Sequence, residues 1–450
     1  MIKALFTLKE ICEGIGFEFE YKKEKKKYSI CTNSKEIRSD QIFVPITGEK
    51  FDGHDFINEA LEKCEYAFCE KNKTIKVNKK YAKKVIKVEN TIDAYNKLAN
   101  IYRNRINAKV IAITGSAGKT TTKELISVVL SEKFNVHKTE KNFNNEIGVP
   151  KTILETPEDT EILVLELAMR AKGEIEYLSK TCEPDIAIIT NVGSSHIGRL
   201  GSLSSIIEAK AEIFKHLRKG GKGFLYKDDG LLSYLKAKNI NVDNFIKFDL
   251  SDTQIKLIDV LKGSKFKLEG KEYEIKAFGQ VHILNSVLAI KVAKYLGMKE
   301  DEIQKGLLKF SIPEGRGNII KLKNDICVID ETYNASPDTV KGAVQNLVEI
   351  WKDKGNKNKR ILVLGELAEL GEEKDKLLKD LGAWLEKQDI TVITVGDKLK
   401  PIKPNNSAKN IGECCDILDK LLCHDSVVLV KGSRVSGLEK VIEHLRRNSG

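Results

Sequence analysis

Thr114-Gly115-Ser116-Ala117-Gly118-Lys119-Thr120-Thr121 is the stretch on which the fold turns. Val110 to Thr114, just before and into it, is an apolar run of strand length, and Thr121 to Lys133 carries apolar residues at helical spacing. A glycine-containing loop between a strand and a helix can turn successive N–H groups inward, while the helix N-terminus adds partial positive charge. The segment therefore predicts a phosphate site. Lys119 is placed to reach terminal phosphates, and the Thr120 hydroxyl suits a magnesium ion carried by a nucleotide. A full eight-residue phosphate loop would have a further glycine where Ile113 stands, so what remains is G-x-x-G-K-T. Its strand-before, helix-after setting favours a nucleotide site over a glycine turn that serves only the fold.

Outward from the loop the pattern repeats. Glu161 to Leu167 and Asp185 to Asn191 are further buried-strand runs, and strands alternating with helices predict a parallel α/β sheet. On the N-terminal side, Ile92, Tyr95, Leu98, Ala99 and Tyr102 mark a helix within Lys87 to Asn107, which sets a first boundary near residue 86. On the other side, helices over Val281 to Leu296 and Glu302 to Lys309 lead into Ile312-Pro313-Glu314-Gly315-Arg316-Gly317, a hinge-like segment. Beyond it, Ile326 to Asp330, Arg360 to Gly365, Thr391 to Gly396 and Ser426 to Lys431 are strand runs, each followed by a helical pattern. The expected fold is α/β with three domains. A small N-terminal α/β domain spans 1–86, a central phosphate-loop domain with a parallel sheet spans 87–312, and a Rossmann-like doubly wound domain spans 313–450. No G-x-G-x-x-G follows these strands, which argues against a dinucleotide, and no short-period repeat is present.

Composition agrees with several domains. The chain has 450 residues, 41% of them apolar, whereas a single core stops growing near roughly 250 to 300 residues. Its longest apolar runs, such as Ile162 to Leu165 and Val427 to Val430, fall far short of the roughly 20 residues that cross a bilayer. Met1 to Gly16 is interrupted by Lys9 and Glu10 without a small-residue cleavage site, so it reads as a first helix and the protein is expected in the cytoplasm. Nine cysteines without a C-x-x-C pair fit reduced packing residues. The net charge of +11 is mostly lysine spread along the chain. Its densest cluster, Lys22, Lys23, Lys25, Lys26 and Lys27, is broken by Glu24 and flanked by Tyr21 and Tyr28, as in a solvated turn between strands. With aromatics at 7% and no basic stripe interleaved with them, neither a nucleic acid nor a membrane is an expected partner.

Other residues acquire meaning from their position. Glu166 lies near the carboxyl end of its strand, where ligands of open α/β sheets gather, and a buried carboxylate there calls for magnesium or a lysine. His196 follows the next strand in Val192-Gly193-Ser194-Ser195 and can reach the same edge, although loop histidines are often structural. Lys210, among Ile206, Ile207, Ile213 and Phe214, looks by periodicity like an ordinary surface lysine. Asn285 opens a helix and suits a cap or an interhelical amide as well as a ligand. Arg316 follows the hinge, and Asp330-Glu331-Thr332-Tyr333-Asn334-Ala335-Ser336-Pro337 is a polar strand end that suits either a ligand or a turn.

Taken in order, these segments resemble the Mur ligase family over nearly the whole chain. The resemblance is carried by Ile113 to Thr121, by Lys141-Asn142-Phe143-Asn144-Asn145-Glu146-Ile147-Gly148-Val149-Pro150, and by Leu165-Glu166-Leu167-Ala168-Met169-Arg170 followed by Gly173-Glu174-Ile175. Thr190 to Ser202 and Glu208-Ala209-Lys210-Ala211-Glu212-Ile213-Phe214 extend it. It implies an ATP-dependent amide ligase of peptidoglycan synthesis, working through an acyl phosphate. Lys119, Glu166, His196, Lys210 and Arg316 would be its catalytic groups. Thr120, Glu166, His196 and Lys210 would gather around magnesium, with Lys210 carbamylated. Thr114, Gly115, Ser116, Ala117, Gly118, Lys119, Thr120 and Thr121 would hold ATP together with Asn285, Arg316, Asp330, Tyr333 and Asn334.

The resemblance also places the substrates. Thr32-Asn33-Ser34-Lys35, Phe43 to Glu49 and Phe51-Asp52-Gly53-His54-Asp55-Phe56 resemble the family's UDP-sugar module. Ser34, Lys35, Thr47, Asp52, Gly53 and His54 would therefore bind substrate, as would Asn144, Asn145 and Arg170. Lys35 stands where arginine is usual, Ser336 where asparagine is common and Glu331 where a second aspartate often sits. The family's Asp-Asn-Pro-Arg motif for diaminopimelate addition is absent. The implied substrates are thus a UDP-N-acetylmuramoyl tripeptide and D-alanyl-D-alanine, handled by a monomer. A related amino-acid ligase, of Mur or folylpolyglutamate type, and a catalytically silent nucleotide-binding scaffold are the alternatives.

Overall fold

The computed structural model describes residues 4–17, 25–48, 51–195, 197–256, 262–351 and 359–448. Its first sheet consists of β1 (Phe6–Thr7), β2 (Lys27–Cys31), β3 (Gln41–Phe43), β4 (Tyr66–Glu70) and β5 (Val85–Val88), in that order. Only β1 runs antiparallel to its neighbour. The boundary expected after residue 86 falls inside β5, and the following helix is Thr91–Arg105. In the lysine cluster, Lys22 and Lys23 lie outside the described residues, Lys26 pairs with Glu65, and Lys27 begins β2.

The central sheet contains β6 (Lys109–Thr114), β7 (Val136–Lys138), β8 (Ile162–Glu166), β9 (Ile186–Ile189), β10 (Lys222–Tyr226) and β11 (Ile246–Phe248). Its order is β11-β10-β9-β6-β8-β7, parallel throughout. The continuous apolar runs of β6, β8 and β9 are what a sheet covered on both faces requires. Alternate residues divide between those faces. Ala112, Leu163 and Leu165 share a core with Tyr95 and Leu98 of the Thr91–Arg105 helix and with Phe6, Tyr28 and Ile86 of the first sheet. Ile111, Ile113 and Val164 pack instead with Leu125, Val287 and Leu307 of the helices Lys119–Leu130, Gln280–Tyr295 and Glu300–Lys309. The first and second sheets are thereby joined by one continuous core.

Two parts are additions to the expected architecture. An antiparallel sheet of β12 (Thr253–Ile255), β13 (Ser264–Leu268) and β14 (Lys271–Ile275) packs Phe266 and Tyr273 into the second core. In the third unit, β15 (Asn318–Lys321) and β19 (Asn406–Ala408) flank the four expected strands, β16 (Cys327–Glu331), β17 (Arg360–Leu364), β18 (Thr391–Val395) and β20 (Val427–Lys431). The order is β15-β16-β20-β17-β18-β19, antiparallel only at β15. Leu362, Leu364 and Leu429 face one core, and Ile361, Val363, Val428 and Val430 the other, as period-two alternation demands. No helix among the described residues is long and apolar enough to cross a membrane.

Candidate active site

The loop after β6 closes on Gly118, whose φ of 78° is left-handed and therefore costly for any side chain but glycine's. That turn starts the Lys119–Leu130 helix without a side-chain cap, so its first N–H groups remain available to an anion. A second loop, after β9, braces the first. Asn191 accepts from Ser116 N through its carbonyl (3.1 Å) and from Ala117 N through Oδ1 (2.9 Å). Thr190 Oγ1 donates to the Ala117 carbonyl at 2.7 Å, and Ser116 Oγ accepts from Gly193 N at 2.9 Å. Thr114 passes the strand pairing on to Thr190, and Thr121 is buried in the first helical turn.

Lys119 folds back so that Nζ donates to the Gly115 carbonyl at 2.8 Å. Burial lowers its pKa, opposed by the Glu166 carboxylate and assisted by the Arg316 charge. Glu166, at the end of β8, is 3% exposed. Its Oε1 accepts from Asn144 Nδ2 at 2.8 Å, whereas Oε2 has no hydrogen-bond partner among the described residues. An ionised oxygen kept dry and unpaired is costly unless a cation meets it.

Lys210 overturns the surface placement suggested by its periodicity. It lies in the last turn of the Leu203–Ala211 helix at 1% exposure, and Ile206, Ile207, Ala209 and Ala211 of the same helix are also buried. Burial first, and then the Lys119 charge, push its amine well below the ordinary lysine range. His196 lies outside the described residues.

The third unit completes the cluster. Arg316 Nη2 donates to Thr120 Oγ1 at 3.1 Å, and its guanidinium lies 3.8 Å over the Tyr333 ring. Burial lowers the Arg316 pKa, against Tyr333, Glu166 and Glu331, which hold the charge in place. Asp330 Oδ1 accepts from Thr332 N and Oγ1 at 3.1 and 2.7 Å, and Asn334 Oδ1 accepts from Ala335 N at 2.9 Å. Asn285 lies in the second turn of its helix rather than at the start. It is buried beside Gly118, accepts from Thr122 Oγ1 at 3.3 Å, and leaves Nδ2 without a partner among the described residues.

The residues expected at the UDP-sugar end form a separate cluster in the first unit. Asp52 Oδ1 accepts from Thr47 Oγ1, His54 N and His54 Nδ1 at 3.1, 3.0 and 2.7 Å. His54 Nε2 meets Glu70 N at 3.3 Å, so the buried ring is held from both sides. Despite some desolvation, the Lys73 ammonium and these donors hold the Asp52 carboxyl below its usual range. Gly53 is buried between them, Ser34 is buried, and Lys35 is exposed. Asn145 caps the Gly148–Glu155 helix through Gly148 N at 3.0 Å, and exposed Arg170 donates its backbone N–H to Glu174. Asn144 thus joins the Glu166 cluster, while Asn145 and Arg170 flank it. Glu146 and Ala168, two residues beyond Asn144 and Glu166, line a cavity of ≈ 340 Å³ together with Asp93, Lys172, Glu174 and Tyr177.

Several positioning residues carried little signal in the sequence. Lys431 is buried at the end of β20 and donates to Glu331 Oε2 (2.6 Å) and the Asn334 carbonyl (3.1 Å). A lysine closing the apolar run Val427 to Val430 at the carboxyl edge was the signal available for it. Contacts across the interdomain crevice have no local signature. Asp338 Oδ2 accepts from Ser194 N at 2.8 Å, Glu369 O accepts from Gly198 N at 3.2 Å, and Glu369 pairs with Arg199 at 3.3 Å. Gly198 and Gly371 meet so closely that a Cβ on Gly198 would lie 2.2 Å from Gly371 N.

Comparison with known proteins follows the same order along the chain. The Mur ligase middle domain matches residues 113–293, and the Mur ligase, glutamate ligase domain matches residues 315–434. The UDP-N-acetylmuramoyl-tripeptide--D-alanyl-D-alanine ligase of Bacillus subtilis (strain 168) is 34% identical over 434 residues, covering 93% of each chain. MurF from Acinetobacter baumannii superposes with a TM-score of 0.86 at 26% identity over 99% of both chains. MurF ligase from Thermotoga maritima in complex with ADP gives 0.81 at 29% identity, over 93% of this chain and 97% of the other.

Proposed function

The chain belongs to the Mur ligase family, and from that premise we infer that it is an ATP-dependent amide ligase of peptidoglycan synthesis. It joins D-alanyl-D-alanine to a UDP-N-acetylmuramoyl tripeptide through an acyl phosphate, giving the UDP-pentapeptide. The observation that carries this reading is a phosphate site assembled from two units: Arg316 reaches Thr120 beside Lys119, with the orphaned Glu166 oxygen at the same sheet edge.

Amide formation from a carboxylate is uphill in water, so the tripeptide carboxylate first attacks the γ-phosphorus. An O–P bond forms, the bond to the bridging oxygen breaks, and ADP leaves. The amine of D-alanyl-D-alanine then adds to the acyl carbonyl, loses a proton, and phosphate departs as the amide forms. The loop N–H groups and the helix N-terminus hold the phosphate chain. Lys119 and Arg316 face the oxygens on which charge grows, an electrostatic contribution that commonly dominates phosphoryl and acyl transfer. Asn144 keeps Glu166 aimed, and the Asn191 brace fixes the loop. Asn285, Asp330, Tyr333 and Asn334 surround the nucleotide, and the Asp52–His54 cluster with Ser34, Lys35 and Thr47 receives the UDP-sugar.

The residues present fit magnesium: a buried carboxylate oxygen without a partner among the described residues, a threonine hydroxyl, and a buried lysine whose pKa burial lowers. Thr120, Glu166, Lys210 and His196 would hold the ion, and it would supply Lewis-acid charge to the phosphoryl oxygens. An unprotonated Lys210 amine can add carbon dioxide and release a proton, which turns a cation into a carboxylate-like ligand. The enzyme acts in the cytoplasm as a monomer.

The test is magnesium-dependent phosphate release from ATP with both substrates, omitting each in turn, with product mass determined. Release that needs both substrates and yields the UDP-pentapeptide is expected. Release driven by another amino acid would move the chain to a different ligase of the family, and ATP binding without amine-dependent release would make it a silent scaffold.

A further inference from the structure

The cavity bounded by Glu146 and Ala168 is used by no step above, yet its wall is continuous with the reaction centre. Ala168 N donates to the Asn144 carbonyl at 2.9 Å, and Asn144 Nδ2 in turn holds Glu166 Oε1 at 2.8 Å. Two residues of backbone span at most about 7 Å, so the cavity begins beside the Glu166 cluster. Its volume of ≈ 340 Å³ suits a small ligand group. Ile92, Ala168 and Leu178 make part of the lining apolar, and Asp93, Glu146 and Glu174 set three carboxylates against the single ammonium of Lys172, which pairs with Glu208. Two of those carboxylates are engaged: Asp93 Oδ1 accepts from the Tyr177 hydroxyl at 2.7 Å, and Glu174 Oε2 from Arg170 N at 2.6 Å. Glu146 differs. It is half-buried and its carbonyl is fixed by Asn96 Nδ2 at 2.9 Å, but its carboxylate accepts no hydrogen bond and pairs with no cation among the described residues. Burial, joined by the Asp93 and Glu146 charges, raises the Tyr177 pKa, so the phenol stays a donor and adds no negative charge. A partly dehydrated pocket with surplus negative charge and apolar walls attracts a cation carried on an apolar stem.

Resting on the ligase reading above, we propose that this cavity takes the side chain of the tripeptide's third residue and selects one that ends in an ammonium group, as in a diamino acid. The connection is chemical. The carboxylate that takes the phosphoryl group belongs to the third residue, so the α-carbon of that residue sits one bond from the reacting carbon, and its side chain leaves from beside Lys119 and Glu166. The cavity at Glu146 and Ala168 borders that point, whereas a second cavity, lined by Ser131, Glu132 and Lys309, lies at the opposite end of the Lys119–Leu130 helix. The methylenes of a lysine-like stem cover Ile92, Ala168 and Leu178, and the ammonium ends on Glu146, giving that carboxylate the charge-assisted hydrogen bond it lacks. Asp93 and Glu174, held by Tyr177 and by Arg170 N, add to the negative field without leaving their own partners.

The test uses full-length enzyme and two pairs of UDP-N-acetylmuramoyl tripeptides whose members differ only by that amine: L-lysine against L-norleucine, and meso-diaminopimelate against L-2-aminopimelate, at the third position. In whichever pair wild type uses better, the ammonium-bearing peptide is expected to exceed its twin in kcat/KM by roughly 10- to 100-fold, the worth of a hydrogen bond to a charged group. Glu146→Gln should lose about that factor on the ammonium-bearing peptide, while the twin and the KM for ATP stay within about threefold, and Glu146→Asp should recover part of the loss. Twins used equally well by wild type, a Glu146→Gln enzyme that keeps the preference, or a loss shared by both twins or by the ATP KM would each overturn the subsite while the ligase assignment stands. Wild type that ligates none of the four peptides to D-alanyl-D-alanine would overturn the ligase assignment, and the subsite with it.

Discussion

Lys119 is half-buried and Lys210 fully buried, and desolvation lowers the pKa of both amines. Lys119→Ala should lower kcat by about 100- to 1000-fold, as for loss of a donor aimed at developing charge, with an unchanged far-ultraviolet spectrum. Near-normal turnover would remove its assigned part. Enzyme stripped of dissolved carbon dioxide should lose activity, recover it with bicarbonate, and show a carbamate carbon resonance that Lys210→Ala lacks. His282 makes a different prediction. It is buried, and its pKa is pushed down to about 4 by desolvation, in spite of Glu331. Between pH 6.5 and 4 the unfolded chain takes up a proton that the folded chain does not, so this contribution is fully present above 6.5 and lost as pH falls through 4. It amounts to about 3 kcal/mol. Denaturant titrations should show a shallower acid limb for His282→Gln. Among single residues, the phosphate loop was legible because its chemistry is contiguous. The burial of Lys210 was not, because helical periodicity records where apolar residues fall and is silent about a lysine buried toward Lys119, far away in the sequence.

At the scale of elements, the contact between the short helix Ile197–Leu200 and the segment around Gly371 is backbone against backbone. A methyl on Gly198 would meet Gly371 N, Leu370 C and Glu369 O at 2.2, 2.5 and 2.6 Å, none of which is a side chain able to swing away. Gly198→Ala should therefore leave ATP affinity within about twofold but cut ligation by about tenfold or more, since the third unit can no longer seat. Equilibrium nucleotide binding beside coupled phosphate release separates the two effects. The strands that sequence periodicity identified, β6, β8, β9, β16, β17, β18 and β20, are apolar throughout or nearly so. Among those it passed over are β10, which opens on Lys222 and Gly223, the short edges β15 and β19, and the hairpin β13–β14, where lysines and glutamates alternate with Phe266, Leu268, Tyr273 and Ile275. Its turn, Glu269-Gly270, has positive φ at both residues, and this pair was the one local cue to the hairpin.

Across the whole molecule, how the units sit against one another was the least legible feature, since Ser194–Asp338, Arg199–Glu369 and Thr120–Arg316 each join residues more than a hundred positions apart. The chain passes between the central and third units once, through the segment around Pro313. Everything on one side of that crossing carries Lys119, Thr120, Glu166 and Lys210, and everything on the other carries Arg316 and Tyr333. A polypeptide cut there becomes two complementary genes' worth of enzyme. Residues 1–312 and 313–450, made separately, should each be inert and should regain turnover on mixing, with a rate that rises with the concentration of either piece until the crevice is saturated. Turnover by the longer piece alone would show that Arg316 is dispensable.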